Sequence, residues 1–329
     1  MIWIDSLYRY KGEILTKPET IFVLDHHYDE ENDTWPLQQL LDNSTVDPKE
    51  HLLIFDMHIH DDVFTKYNPL CIPLFCAETV EEFQEQNIVP NWTNKTVPFN
   101  FMINKWRPHR GRLLKIIDSL KLTNFTYSLP WLENTVTNLP VTNYMIGTET
   151  QMQQGILYLP ITNGKNYKHL LQKTVFEPSC ISLITEPTYI EREALITEKT
   201  IMAIYGGTIP IWVGGWRCAD AMRSQGFDVF DDIVDHSYQS LADPWDRINK
   251  SIELNQELLS NFTISQPILT RLQHNLDLML DGVFEKEVES KTEKKYPGAD
   301  YAEIKQDIKE LQFQFHQVFD AVKKEIVNA

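Results

Sequence analysis

Cysteine is scarce. The 329 residues hold four: Cys71, Cys76, Cys180 and Cys218. Cys71 and Cys76 sit in an apolar CIPLFC stretch, and no pair of C-x-x-C motifs occurs. That excludes a disulfide-stapled scaffold and a zinc ribbon. Buried free thiols in a reducing compartment are expected instead. A chain of this length can bury a core without staples. Long hydrophobic runs are also missing, so membrane insertion is not expected. The opening MIWID is broken too early for a signal peptide, and a cytoplasmic location is expected. The N-x-S/T matches at Asn43, Asn91, Asn94, Asn124 and Asn261 are therefore read as chance. Positive charge is short too: 30 Lys and Arg stand against 47 Asp and Glu, for a net charge of −17. Broad binding to a phosphate backbone needs cations, so only a local basic groove remains open to it.

What is present is apolar strands ending in polar residues. IFVL (Ile21 to Leu24) runs into Asp25, His26 and His27. HLLIF (His51 to Phe55) runs into Asp56, His58 and His60. Strands that end this way are the pattern of a parallel α/β sheet. Asp25, His26, Asp56 and His58 are candidate catalytic bases. They are equally candidate acceptor-binding groups, metal ligands or plain loop ends. Pro69 to Phe75 reads as another strand, and Thr79 to Gln86 as a short acidic helix.

FNFMI (Phe99 to Ile103) is a strand leading into NKWRPHR, and Leu113, Leu114, Ile117 and Leu120 follow at helical spacing. Arg107, His109, Arg110 and Arg112 thus cluster at a strand-to-helix turn. Cations are disfavoured at a helix N-terminus by its dipole, so the cluster reads as an anion site against local preference. The alternative is a solvated first helical turn.

Cys180 to Gly215 organises the second half. Ile181, Leu183 and Ile184 make a strand ending at Thr185 and Glu186. Pro187 forces a loop. Thr197 is an N-cap for a helix through Tyr205, with Glu198 in its first turn. Gly206 and Gly207 stop that helix. Ile209 to Val213 is a buried strand. The βαβ unit collects Glu186, Thr197, Glu198 and Lys199 at one end, where ligands of open α/β sheets bind. Beyond it, Asp243-Pro244 starts a helix. Asp231, Asp232 and Asp235 read as an acidic loop or a divalent-ion site. Tyr301 to Ile326 carries one apolar face and reads as an amphipathic helix.

TEK, then GGTIPI, then GFDVFDDIVDHSY and DPWDR form an ordered series over roughly Pro178 to Leu259. This series resembles a family of phage, giant-virus and cyanobacterial glycosyltransferases. Its core is similar to the donor-binding domain of fucosyltransferases. The resemblance implies a GT-B fold, two Rossmann-like α/β domains facing a cleft, with a C-terminal helix packed back across them. The corresponding units are 1–150 on the acceptor side, 151–300 on the donor side and 301–329 for the helix. It implies transfer from a nucleotide-sugar without cofactor or metal, in the cytoplasm, including that of an infected host cell. Glu186 and Glu198 would bind ribose or sugar hydroxyls, and Lys199 with Arg107 or Arg110 the diphosphate. Where the fucosyltransferases have Glu-Asn at the strand end, this chain has Glu186-Pro187. The acceptor would be a glycan, a small molecule or a hydroxymethylated base of phage DNA. A non-catalytic nucleotide- or glycan-binding protein of the same fold, or a structural virion protein, is the rival reading.

Overall fold

The computed structural model describes residues 70–85, 87, 89–93, 95–103, 108–128, 172–186, 189 and 194–295, with short strands at 3–5, 20–24, 52–56, 145–147 and 158–160. Every strand pair among them is parallel. One sheet pairs β1 (Trp3–Asp5), β2 (Thr20–Leu24), β3 (Leu52–Asp56) and β4 (Leu70–Ile72) in chain order. A second has the order β10-β9-β5-β6, from β5 (Val97–Met102), β6 (Phe125–Ser128), β9 (Ser179–Ile184) and β10 (Ile209–Trp212). A third is the pair β7 (Met145–Gly147) and β8 (Tyr158–Pro160). The described helices are α1 (Leu74–Glu85), α2 (Pro108–Ser119), α3 (Glu198–Tyr205), α4 (Cys218–Ser224), α5 (Pro244–Glu253), α6 (Gln256–Asn261), α7 (Gln266–Leu280) and α8 (Val283–Lys295). The chain is therefore α/β. Among the described residues no helix is long and apolar enough to cross a membrane.

The second sheet holds the described core. Its side chains alternate between two faces, as the pleat requires. Phe99 and Phe101 of β5 stack with Phe125 and Tyr127 of β6, at centroid distances of 5.0 and 5.5 Å. Ile181, Leu183, Ile209 and Ile211 continue that face, which α2 covers with Leu113, Leu114 and Ile117. The opposite face carries Met102, Ile184 and Trp212 and is covered by α3, α1 and parts of α7 and α8. Pro210 lies in β10, which is an edge strand, so its missing N–H breaks no ladder bond. Cys76, Cys180 and Cys218 are buried free thiols.

Two sequence expectations are corrected. Residues 97–102 and 125–128 fall in the proposed unit 1–150, yet they hydrogen-bond into the same sheet as 179–184 and 209–212. The boundary near 150 does not follow this sheet, because β5 finds its parallel partner in β9. The apolar stretch from Pro69 to Phe75 is not one strand. The strand stops at Ile72, and α1 starts at Leu74 with Ala77 N–H bonded to the Pro73 carbonyl. The helix expected over Tyr301 to Ile326 lies outside the described residues.

The end of α3 is where glycine is required. Gly207 has φ +58, and a Cβ there would lie 2.4 Å from the Trp92 ring. That indole donates to the Tyr205 carbonyl at 2.8 Å, and Lys95 Nζ donates to the Gly206 carbonyl. Burial pulls the Lys95 ammonium down to about 7, with Cys180 and Glu177 opposing. Gly207→Ala should lower stability by about 1–3 kcal/mol, through strain and overpacking together. Urea denaturation followed by circular dichroism would measure it, and an unchanged midpoint would refute this account of the turn.

Candidate functional site

The connection β5–α2–β6 steps toward one edge of the sheet, and β9–α3–β10 steps toward the other. Adjacent strands whose crossovers leave in opposite directions open a crevice at their carboxyl ends. Here that crevice lies between β5 and β9. Met102 ends one strand, and Thr185 and Glu186 follow the other. Thr185 Oγ1 donates to the Met102 carbonyl at 3.4 Å, closing the two ends against each other.

Glu186 is buried, with 3% of its surface exposed. Its carboxylate is tied to the first turn of α3. Oε1 accepts from Thr197 N at 3.1 Å and from Thr200 Oγ1 at 3.3 Å, and Oε2 accepts from Thr197 Oγ1 at 2.5 Å. Thr197 in turn caps the helix by accepting from Lys199 N at 3.4 Å. Trp212, at the end of β10, donates its indole N–H to Thr200 Oγ1 at 3.0 Å. The side chain of Glu186 therefore satisfies orphan donors at the N-terminus of α3, where the dipole favours a negative charge.

Lys199 Nζ lies 2.8 Å from Glu198 Oε1 and 3.9 Å from Glu186 Oε2. It also donates to Thr197 Oγ1 at 3.3 Å. Burial pushes the Glu186 carboxyl up, with Glu198 adding to that and Lys199 and Thr197 opposing it. Burial also acts upward on Glu198, but the Lys199 ammonium and its hydrogen bonds outweigh it, so its carboxyl lies below the usual range. The side chain of Glu198 is 21% exposed, against 7% for Lys199 and 3% for Glu186. Glu198 is thus the member of the cluster that reaches the surface, and Glu186 is an internal brace.

The basic turn splits. Arg107 lies outside the described residues. Arg110 is buried, and its Nη2 donates to the Thr185 carbonyl at 3.1 Å, so it ties α2 to the end of β9. His109 is buried as well, with Nε2 3.0 Å from the Glu186 carbonyl and its ring against Tyr189 at 4.5 Å. Arg112 is exposed and donates from Nε to Asn249 Oδ1 at 2.9 Å. Asp25, His26 and His58 lie outside the described residues, and Asp56 is the last residue of β3, in register with Ile72 of β4. Asp231 and Asp232 are engaged by Arg223 and Arg271, so their acidic loop is already partnered.

Arg247 was not legible as a site residue. It is fully buried and donates to the carbonyls of Gly214 and Leu241 at 2.9 Å each, and to that of Tyr189. It fixes the start of α5 against the carboxyl end of the sheet. The Asp243-Pro244 signal located that helix correctly, and Asp243 Oδ1 accepts from Asp246 N at 2.9 Å. Nothing in the local pattern shows that the fourth helical residue points inward.

No family model matches this chain, and no curated protein matches it. Among solved structures, it is similar to the DNA-modifying enzyme β-glucosyltransferase, determined with and without uridine diphosphoglucose. That match has 11% identity and a TM-score of 0.34, over 82% of this chain and 74% of the other. It is also similar to a mutant of the T4 phage enzyme BGT in complex with UDP-glucose. There the identity is 11% and the TM-score 0.30, over 89% of this chain and 79% of the other. Likeness of this extent assigns neither an activity nor any residue to the chain.

Thr197→Val removes the hydroxyl that Glu186 and Lys199 share. A loss of about 1–3 kcal/mol is expected from the missing cap and the stranded carboxylate. The loss should depend on pH. The folded state holds the Glu186 proton more tightly than the unfolded chain, so this group's contribution falls as pH rises from the ordinary carboxylate range. Removing a group that lowers the folded pKa steepens that fall. Denaturation of both proteins at pH 5 and pH 8 should therefore show the larger difference at pH 8, and equal differences would contradict the coupling.

Proposed function

We propose that this chain is a glycosyltransferase that moves a sugar from a nucleotide-sugar to an acceptor hydroxyl. The observation that carries this reading is the Glu186–Thr197–Glu198–Lys199 cluster at the crevice between β5 and β9. The TEK, GGTIPI and GFDVF series supports it, since TEK supplies Thr197, Glu198 and Lys199 and GGTIPI runs into the strand beside them. A departing nucleotide diphosphate gains negative charge, which a preorganised cation and helix amides can stabilise. Lys199 is that cation, held in place by two carboxylates. Glu198, the surface member, accepts from a ribose or sugar hydroxyl. Glu186 positions both by fixing the turn on which they stand. Arg107 is a further diphosphate contact, and Arg110 acts from behind, through Thr185.

In this reading the first sheet supplies the acceptor side in a GT-B arrangement. Asp25, His26, Asp56 and His58, at or just after the carboxyl ends of β2 and β3, are the candidate bases for the acceptor hydroxyl. The acceptor is a glycan, a small molecule or a hydroxymethylated base in DNA, and the protein's own groups stabilise the leaving diphosphate.

A thermal-shift screen across UDP-, GDP- and other nucleotide-sugars should give a rise with one base only. With that donor, Lys199→Ala should lower transfer or donor hydrolysis by about 100-fold or more while the far-ultraviolet spectrum is kept. Turnover equal to that of the unmodified chain would remove Lys199 from the donor site. Binding without turnover over a broad acceptor panel would favour the non-catalytic reading.

A further inference from the structure

The groove between α2 and α5 is a separate feature of the same end of the sheet. It is a cavity of about 590 Å³, lined by Pro108, Gly111, Arg112 and Lys115 of α2 and by Trp245 of α5. Pro108, Gly111, Arg112 and Lys115 recur at the spacing of one helix face. Trp245 stands across from them with 39% of its surface exposed, and its ring lies 5.1 Å from that of Tyr189. Tyr189 also meets His109, which contacts the Glu186 carbonyl, so the groove adjoins the crevice without sharing its cluster.

Its charge is unusual for this chain. Acidic residues outnumber basic ones by 17. The described surface arginines Arg217, Arg223 and Arg271 are each paired with aspartates. Arg112 instead donates to a neutral amide, Asn249. Among the described residues, neither Arg112 nor Lys115 has a carboxylate within ion-pair distance. Gly111 is set inside a helix, where glycine costs about 1 kcal/mol relative to alanine, and it lines the groove. Two cations without carboxylates and a half-exposed indole face one cavity. A flat ring stacks on an indole, and a phosphate is bound by guanidinium and ammonium.

We propose that this groove binds a nucleoside phosphate, its base stacked on Trp245 and its phosphate held by Arg112 and Lys115. The shared chemistry has two sources, a free nucleotide or one unit of a nucleic-acid strand. The site does not depend on the transferase reading, because it uses none of the residues assigned to the donor cluster.

The test is calorimetric titration of the full chain with nucleoside 5′-monophosphates, the matching nucleosides, inorganic phosphate and a short single-stranded oligonucleotide. Monophosphates should bind at least tenfold more tightly than nucleoside or phosphate alone. Trp245→Ala and the double variant Arg112→Gln/Lys115→Gln should each weaken that binding at least tenfold, with unchanged thermal midpoints, while Lys199→Ala leaves it in place. An oligonucleotide that binds more tightly than the monophosphate, with steep salt dependence, identifies a strand as the source. Equal or weaker binding identifies the free nucleotide. The proposal is overturned if the groove variants bind as the unmodified chain does. It is also overturned if only Lys199→Ala loses binding, or if neutral sugars bind in place of phosphates.

Discussion

The parallel pairing of β5 with β9 joins segments that are far apart in the chain, and most of the described architecture depends on it. Phe99 is set against Ile181 and Phe101 against Leu183, in the middle of a face buried under α2. A parallel ladder has no edge-saving hairpin, so its register is held by this burial and by the crossovers on either side. Because each strand continues into a crossover that leaves in the opposite direction, their carboxyl ends stand next to each other with no helix between them. The candidate site is assembled around those two ends: Thr185 and Glu186 follow β9, His109 and Arg110 stand on the helix after β5, and Thr197, Glu198 and Lys199 open the helix after β9.

The electrostatics of the crevice follow from that placement. A strand end beside a helix N-terminus concentrates unpaired N–H groups, and Glu186 meets them from within the protein. A buried carboxylate is costly unless its partners are complete. Glu186 has three donors and a nearby ammonium, and the same ammonium serves Glu198. The cluster therefore holds two carboxylates against one lysine. Arg112 and Lys115 of α2, which have no carboxylate partner among the described residues, instead line the groove beside Trp245. The crevice and the groove thus differ in charge, although both lie at the carboxyl end of the same sheet.

Legibility varied with the kind of signal. Thr197 and Glu198 were readable as the start of α3 because capping acts within three residues, and the structure places that helix at Glu198–Tyr205. Asp243-Pro244 gave the start of α5 for the same reason. β6 was missed because its four residues, although Phe125 and Tyr127 alternate with Thr126 and Ser128, make too short a run to stand out from the surrounding polar stretch. The helix at Gln266–Leu280 was also missed, although Ile268, Leu269, Leu272, Leu276 and Met279 recur at helical spacing and pack into the core. Arg110 was read as a phosphate ligand because a local pattern shows charge but not direction. Its guanidinium is instead turned toward the Thr185 carbonyl.

The sequence alone determined the local units: strands from continuous apolar runs, α3 from its cap and glycine stop, and the gathering of Glu186, Thr197, Glu198 and Lys199 at one strand end. These depend on contacts between near neighbours, so composition and spacing suffice. Only the tertiary structure decided that β5 lies beside β9, that Glu186 faces inward while Glu198 reaches the surface, and that Arg112 and Lys115 meet Trp245 across a groove. Those outcomes turn on which distant segments pack together, and burial of apolar area is non-directional, so no local pattern encodes the partner.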